Sequence, residues 1–167
     1  MPSPRIHEEY RSAVYFLTFT VKNWYYLFDR YNRFEILADS LIYCRQHKQL
    51  KIYAYVLMLN HMHLVVSSPN MISFVRDFKK FTSKAIQKNI VAFERNLLKL
   101  FENKDGSCEI WQRGNMPKLV ESDELLNQKI EYIHFNPVDK QYVQHPEDWV
   151  WSSANPHGRI PIDPLPA

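Results

Sequence analysis

Apolar and polar positions along this chain alternate in some stretches and recur every three to four residues in others, and each change of period marks an element. Ala13 to Val21, "AVYFLTFTV", is β-branched and aromatic. Phe16, Thr18 and Thr20 alternate there with Leu17, Phe19 and Val21, which predicts a strand with one greasier face. From Arg33 to His47 the residues Phe34, Leu37, Leu41 and Cys44 fall at helical spacing and predict an amphipathic helix. Lys51 to Met58 and His61 to Ser67 read as two strands, and Leu59 and Asn60 between them suit a tight hairpin, Asn60 tolerating a positive φ.

A second helix is predicted from Ser73 to about Ile90, with Phe74, Phe78, Phe81 and Ala85 as its buried stripe. Residues 91–106 continue it and then pass into a loop. "CEIWQ" (108–112) and "KLVE" (118–121) are short strand candidates around a turn holding Gly114 and Pro117. Ser122 is placed to cap a third helix, and Asp123 and Glu124 complement the dipole of its first turn. Leu126, Ile130 and Ile133 form its apolar stripe, and it is expected to end near Phe135, because Pro137 disfavours helical geometry at Asn136. The order β-α-β-β-α-β with a trailing helix predicts the α+β class: a ferredoxin-like sandwich with an antiparallel sheet, helices on one face and a further C-terminal helix. One domain over residues 1–151 is expected, followed by an irregular Pro-rich tail over 152–167, with Trp149 and Trp151 anchoring the tail.

Composition narrows the chemistry. With 46% apolar, 14% aromatic and 23% charged residues, the chain is that of a folded globular protein. Three glycines exclude a Gly-rich phosphate loop. Cys44 and Cys108 lack metal-type spacing, which argues against a disulfide scaffold or a Cys-based zinc site and fits a reducing compartment. No apolar run approaches the roughly 18 residues of a membrane span, so a cytoplasmic protein without a membrane partner is expected. The net charge is +3, yet residues 71–104 hold eight Lys/Arg against three acids, an excess of five. On the second helix Arg76, Lys79, Lys80, Lys84 and Lys88 crowd one face, which is either a solvated surface or a track for DNA phosphates.

His61 and His63 are two apart on a predicted strand and so project side by side. Such a pair either ligates one divalent ion or is satisfied by local hydrogen bonds. Tyr132 and Asn136 lie one turn apart on one flank of the third helix, with Gln128 a turn earlier, and taken alone are an ordinary surface pattern. His134 points well away from Asn136, and Tyr142 lies beyond Pro137. Trp24, Tyr25, Tyr26 and Trp111 are aromatics able to stack on bases, although most are expected in core or loop packing.

With "NHMHLVV", "EYIHFNPV" and the later "WVWSS", the chain resembles the single-tyrosine HUH transposases, in particular the REP-associated tyrosine transposases of bacteria. The basic helix "FKKFTSKAI", "IWQ" and "HPEDWVWSSA" extend the likeness from about Val14 to Ala154. The resemblance implies a ferredoxin-like HUH nuclease fold, His61 and His63 as ligands of Mg²⁺ or Mn²⁺, Tyr132 as nucleophile toward a DNA phosphate, and Asn136 as an additional ligand. It implies a single-stranded, hairpin-forming DNA substrate, whose phosphates the charged face of Arg76, Lys79, Lys80, Lys84 and Lys88 can track, with Lys51, Arg113 and Lys118 as weaker candidates near the expected edge of the site. It also implies a bacterial, cytoplasmic protein, with a monomer expected and a homodimer as the alternative. Leu59 stands where the family often has proline, and "GNMPKLV" departs from its usual aromatic-rich sequence. Two rivals stay open: a DNA-binding descendant that no longer cleaves, and a small-molecule metalloenzyme using His61, His63 and a carboxylate such as Glu131.

Overall fold

The computed structural model describes residues 5–166; residues 1–4 and 167, at the ends of the expected domain and tail, lie outside the described residues. Strands β1 (Tyr15–Thr20), β2 (Lys51–Leu57), β3 (His61–Ser67) and β4 (Lys118–Leu119) form one antiparallel sheet in the order β2-β3-β1-β4. Helices α1 (Arg33–His47), α2 (Met71–Phe93) and α3 (Asp123–Asp139) pack on it. β1 and β2 run parallel with β3 between them, so the topology is the expected ferredoxin-like sandwich.

The alternation read in the sequence sets the layers. Leu17 and Phe19 of β1 and Met62 and Leu64 of β3 point to α1 and α2, joining Leu37, Leu41, Phe74 and Phe78 in the larger core. Phe16, Val56 and Val65 point the other way and meet Leu126 and Ile133 of α3. The central strands are therefore buried on both faces, which explains the nearly unbroken apolar run around the two histidines. The register between β2 and β3 slips between Ile52 and Ala54, and Tyr53 and Ala54 consequently share the α3 side.

α1 spans the predicted residues. α2 starts two residues before the predicted Ser73, because the Asn70 side chain accepts the Ser73 N–H at 3.1 Å and caps it. Its buried line is Phe74, Phe78, Thr82, Ile86 and Ile90, whereas Ala85 is only half-buried and Phe81 is 63% exposed. That corrects the predicted stripe. A row of every fourth residue stays over the sheet, and Thr82 is accepted in it because its hydroxyl donates to Phe78 O at 2.7 Å and receives the Trp111 indole at 2.8 Å. Phe81 lines an apolar cavity of about 400 Å³ between α1 and α2 with Tyr43 and Cys44.

"CEIWQ" does not form a strand. Trp111 is drawn into the core beside Phe19 and Phe28, and only isolated bridges tie the segment, Val21 to Trp111 and Glu102 to Cys108. α3 is capped as predicted, the Ser122 hydroxyl accepting the Leu125 N–H at 3.1 Å. It does not stop at Phe135 but continues through Pro137 to Asp139. Proline removes one amide hydrogen, and Lys140 N–H closes the following turn onto Asn136 O at 3.1 Å while the Pro137 ring is buried. The tail is irregular, yet it bonds along the free edge of β2: Trp151 O, Tyr55 O and Ile52 O are joined to Leu57, Ser153 and Asp163 amides at 2.7–3.0 Å. An otherwise open strand edge is thereby covered. The Trp149 indole donates to Leu57 O at 2.9 Å, and Trp151 stacks on Phe34 at 5.0 Å, as the anchoring role requires. Among the described residues no helix is long and apolar enough to cross a membrane.

Candidate active site

β3 is the middle partner of β1 and β2, so its side chains on the α3 face are enclosed by neighbours on every side. His61 and His63 lie on that face, 8% and 5% exposed, with ring centroids 4.9 Å apart. Opposite them in the register are Thr20 and Thr18 of β1, two polar residues at the end of an otherwise apolar strand. Asn136, the residue whose helical geometry Pro137 was expected to break, is carried by the extra turn of α3 into the same enclosure and is 5% exposed.

Hydrogen bonds fix how the imidazoles are presented. The Asn60 amide donates from Nδ2 to Trp24 O at 3.0 Å, and a carbonyl can only accept, so Oδ1 faces His61. Oδ1 lies 2.7 Å from His61 Nδ1, which must carry the proton and leave Nε2 with its lone pair. Thr18 Oγ1 is hydrogen-bonded to His63 Nδ1 at 2.9 Å and so orients the second ring. Asn60 was expected to serve the hairpin through a positive φ. It keeps a negative φ and acts instead through its side chain.

Burial, then the positive charge of Lys140, pushes His61 down to about 4, partly offset by the Asn136 amide beside it. Burial, then His61 and Lys129, pushes His63 down to about 3. Both rings are therefore neutral near pH 7, the form that binds a metal. Asn136 Oδ1 is buried and has no hydrogen-bond partner among the described residues. An orphaned carbonyl oxygen beside two neutral imidazoles is a donor set of two nitrogens and one oxygen, which fits a divalent metal ion with coordination positions left for substrate. Among the described residues no three His, Cys, Asp or Glu side chains converge, so Glu131 does not complete the site that the small-molecule alternative needs. Glu131 is exposed, lining a shallow depression with Gln128, Tyr132, Phe135 and Asp139.

Tyr132 stands at the mouth of the enclosure. Its ring lies 5.3 Å from that of His63 and 5.9 Å from that of Phe16, both edge-on, and it is 47% exposed. A phenol held against a metal-competent pair while still open to solvent can reach an incoming phosphate. His134 turns away and bonds Ser153 Oγ at 2.8 Å. Tyr142 stacks on Trp149, and burial and the nearby Tyr26 push its phenol up to about 12. Neither joins the cluster.

The basic residues divide by position. Arg76, Lys79, Lys80, Lys84 and Lys88 sit on α2, which packs on the sheet face opposite the histidines. Arg76 pairs with Asp77 at 3.0 Å, and Lys79 is half-buried over Phe19 with Nζ donating to Gly114 O at 3.1 Å. Lys80, Lys84 and Lys88 are exposed. Arg113 pairs with Glu109 at 3.2 Å on the loop before β4. Lys118 lies opposite Phe16 in the β1–β4 register and so shares the α3 face with the site. Lys129 of α3 and Lys140 just beyond its end, each felt by one of the histidines, were missed in the sequence because each is an isolated lysine outside the basic run. Trp24 and Tyr26 are exposed near the Asn60 turn, whereas Trp111 is core.

Fold and site together define an HUH-type α+β nuclease architecture. The chain belongs to the family of IS200-like transposases, whose model matches residues 10–135, and is accordingly an enzyme of the DNA-transposase class. It is 26% identical to a Haemophilus influenzae protein assigned as a REP-associated tyrosine transposase, over 92% of this chain and 86% of that one. It is 23% identical to the REP-associated tyrosine transposase of Escherichia coli, over 78% and 72%. Its fold is similar to that of a REP-associated tyrosine transposase solved bound to a REP hairpin, with a TM-score of 0.69 at 20% identity, covering 92% of this chain and 82% of the other.

Proposed function

We propose that this transposase is a metal-dependent endonuclease and strand transferase for single-stranded, hairpin-forming DNA, working through a 5′-phosphotyrosine. The observation that carries the proposal is the placement of Tyr132 against His63, in the same enclosure as the orphaned Asn136 oxygen. His61, His63 and Asn136 would hold Mg²⁺ or Mn²⁺, which when bound supplies Lewis-acid stabilisation of the phosphoryl and leaving oxygens.

Tyr132 Oη attacks phosphorus, the bond from phosphorus to the 3′ oxygen breaks, and that oxygen leaves as a 3′-OH carrying the proton the phenol gives up. The phosphoester is conserved on the tyrosine, so a second 3′-OH can reverse the step and join strands without ATP. Asn60 holds His61 in one tautomer, and Thr18 orients His63. Phe16 and the enclosing strands keep bulk water from their inner side. The partner is DNA, the compartment the bacterial cytoplasm, and the active species a monomer. The nuclease module spans 1–151 and the tail 152–167, whose described residues brace it along the edge of β2.

The test is incubation of labelled hairpin DNA with the protein and Mg²⁺ or Mn²⁺, followed by a denaturing gel. A covalent adduct that is lost in Tyr132→Phe is expected. Free hydrolysis products that persist in Tyr132→Phe would sink the proposal, and tight hairpin binding with no adduct from the wild type would identify a binding-only descendant.

A further inference from the structure

Lys129 lies one turn before Tyr132 on α3, on the flank of that helix that also carries Asn136. Its ammonium is 4.7 Å from the centroid of the Phe16 ring and 5.8 Å from that of Tyr132. None of the ion pairs among the described residues includes it. Burial and then Lys118 both push its pKa down, with no acid to offset them. Lys118 approaches from a different element, since it faces the same side of the sheet as Phe16.

A half-buried cation resting on aromatic faces and repelled by a second cation is an arrangement that an anion would stabilise. The other flank of Tyr132 carries Glu131 and Asp139, which repel anions. An anion is thereby confined to the Lys129 side, beside the phenol. α2 cannot serve this position, because it lies across the sheet and its Arg76 and Lys79 are engaged within the fold.

We propose that Lys129, supported by Lys118, binds the non-bridging oxygens of the DNA phosphodiester presented to Tyr132, so that the strand enters over α3 and β4 rather than along α2. The role rests on Tyr132 being the nucleophile, but its test does not. Binding of a fluorescein-labelled hairpin oligonucleotide with single-stranded thymidine flanks is followed by anisotropy in EDTA across a salt series, where no phosphodiester is cut. Melting by circular dichroism is recorded for each variant.

Lys129→Met keeps the apolar stem and removes the charge. It is expected to weaken binding about tenfold near 0.1 M salt and to lower the slope of log K against log salt by about 0.7. Lys129→Arg is expected to retain both, and Lys118→Gln to lower the slope as well. Wild-type affinity and slope in Lys129→Met would show that only packing on Phe16 matters and would overturn the proposal. Equal losses in Lys129→Arg and Lys129→Met would do the same. The adduct assay with Tyr132→Phe reports separately on the nucleophile.

Discussion

Two histidines kept neutral by burial make the metal-free protein sensitive to mild acid in a calculable way. Both folded-state values, about 4 for His61 and about 3 for His63, lie below the unfolded value of 6.5. The unfolded chain therefore binds protons that the folded chain does not, and stability falls as pH falls from about 7 toward the folded values. At pH 5 an unfolded histidine has gained about 2 kcal/mol from protonation, and the folded rings almost nothing, so the pair costs about 4 kcal/mol relative to neutral pH. That is a large share of the roughly 5–15 kcal/mol holding a domain together. Denaturant unfolding in EDTA at pH 7 and pH 5 measures it. Half-buried His134 is lowered too, and Glu94 and Asp163 titrate in the folded state below their ordinary range, so the informative quantity is the difference from His61→Gln/His63→Gln. The double variant should lose about 4 kcal/mol less than the wild type between the two pH values. Parallel losses in the two proteins would refute the claim that burial holds these rings neutral.

Two further outcomes follow from the site. Asn60→Ala frees His61 Nδ1 and lets the proton move to Nε2, so Mn²⁺ affinity measured by calorimetry should drop roughly 10- to 100-fold while the fold persists; unchanged affinity would remove Asn60 from the role. Asn136→Leu replaces an unsatisfied buried oxygen with an apolar side chain of similar size, and in EDTA it should be neutral or stabilising by about 1 kcal/mol. The same variant should lose Mn²⁺ binding; destabilisation without any loss of metal binding would mean that the oxygen is not a ligand.

Much of the sheet and α1 was legible in local pattern, because residue alternation and helical spacing are properties of a few neighbouring residues. The span of α1, the β2–β3 hairpin and the Ser122 cap stand where the sequence places them. The pairing of His61 with His63 was legible for the same reason, since a strand fixes i and i+2 on one face. Tertiary packing decided the rest. Phe81 left the predicted stripe because the Thr82–Trp111 bond and the buried row Phe74, Phe78, Thr82, Ile86 and Ile90 set which side of α2 lies innermost. α3 ran past Pro137 because burial of Asn136 and Pro137 outweighs one missing hydrogen bond, and that extra turn delivers Asn136 to the histidines. Lys129 matters through rings and charges on β1 and β4, which no window along the chain brings near it. Local sequence wrote the elements and the histidine pair; only the folded sheet, by closing distant side chains around one buried pocket of polar atoms, made of them a site.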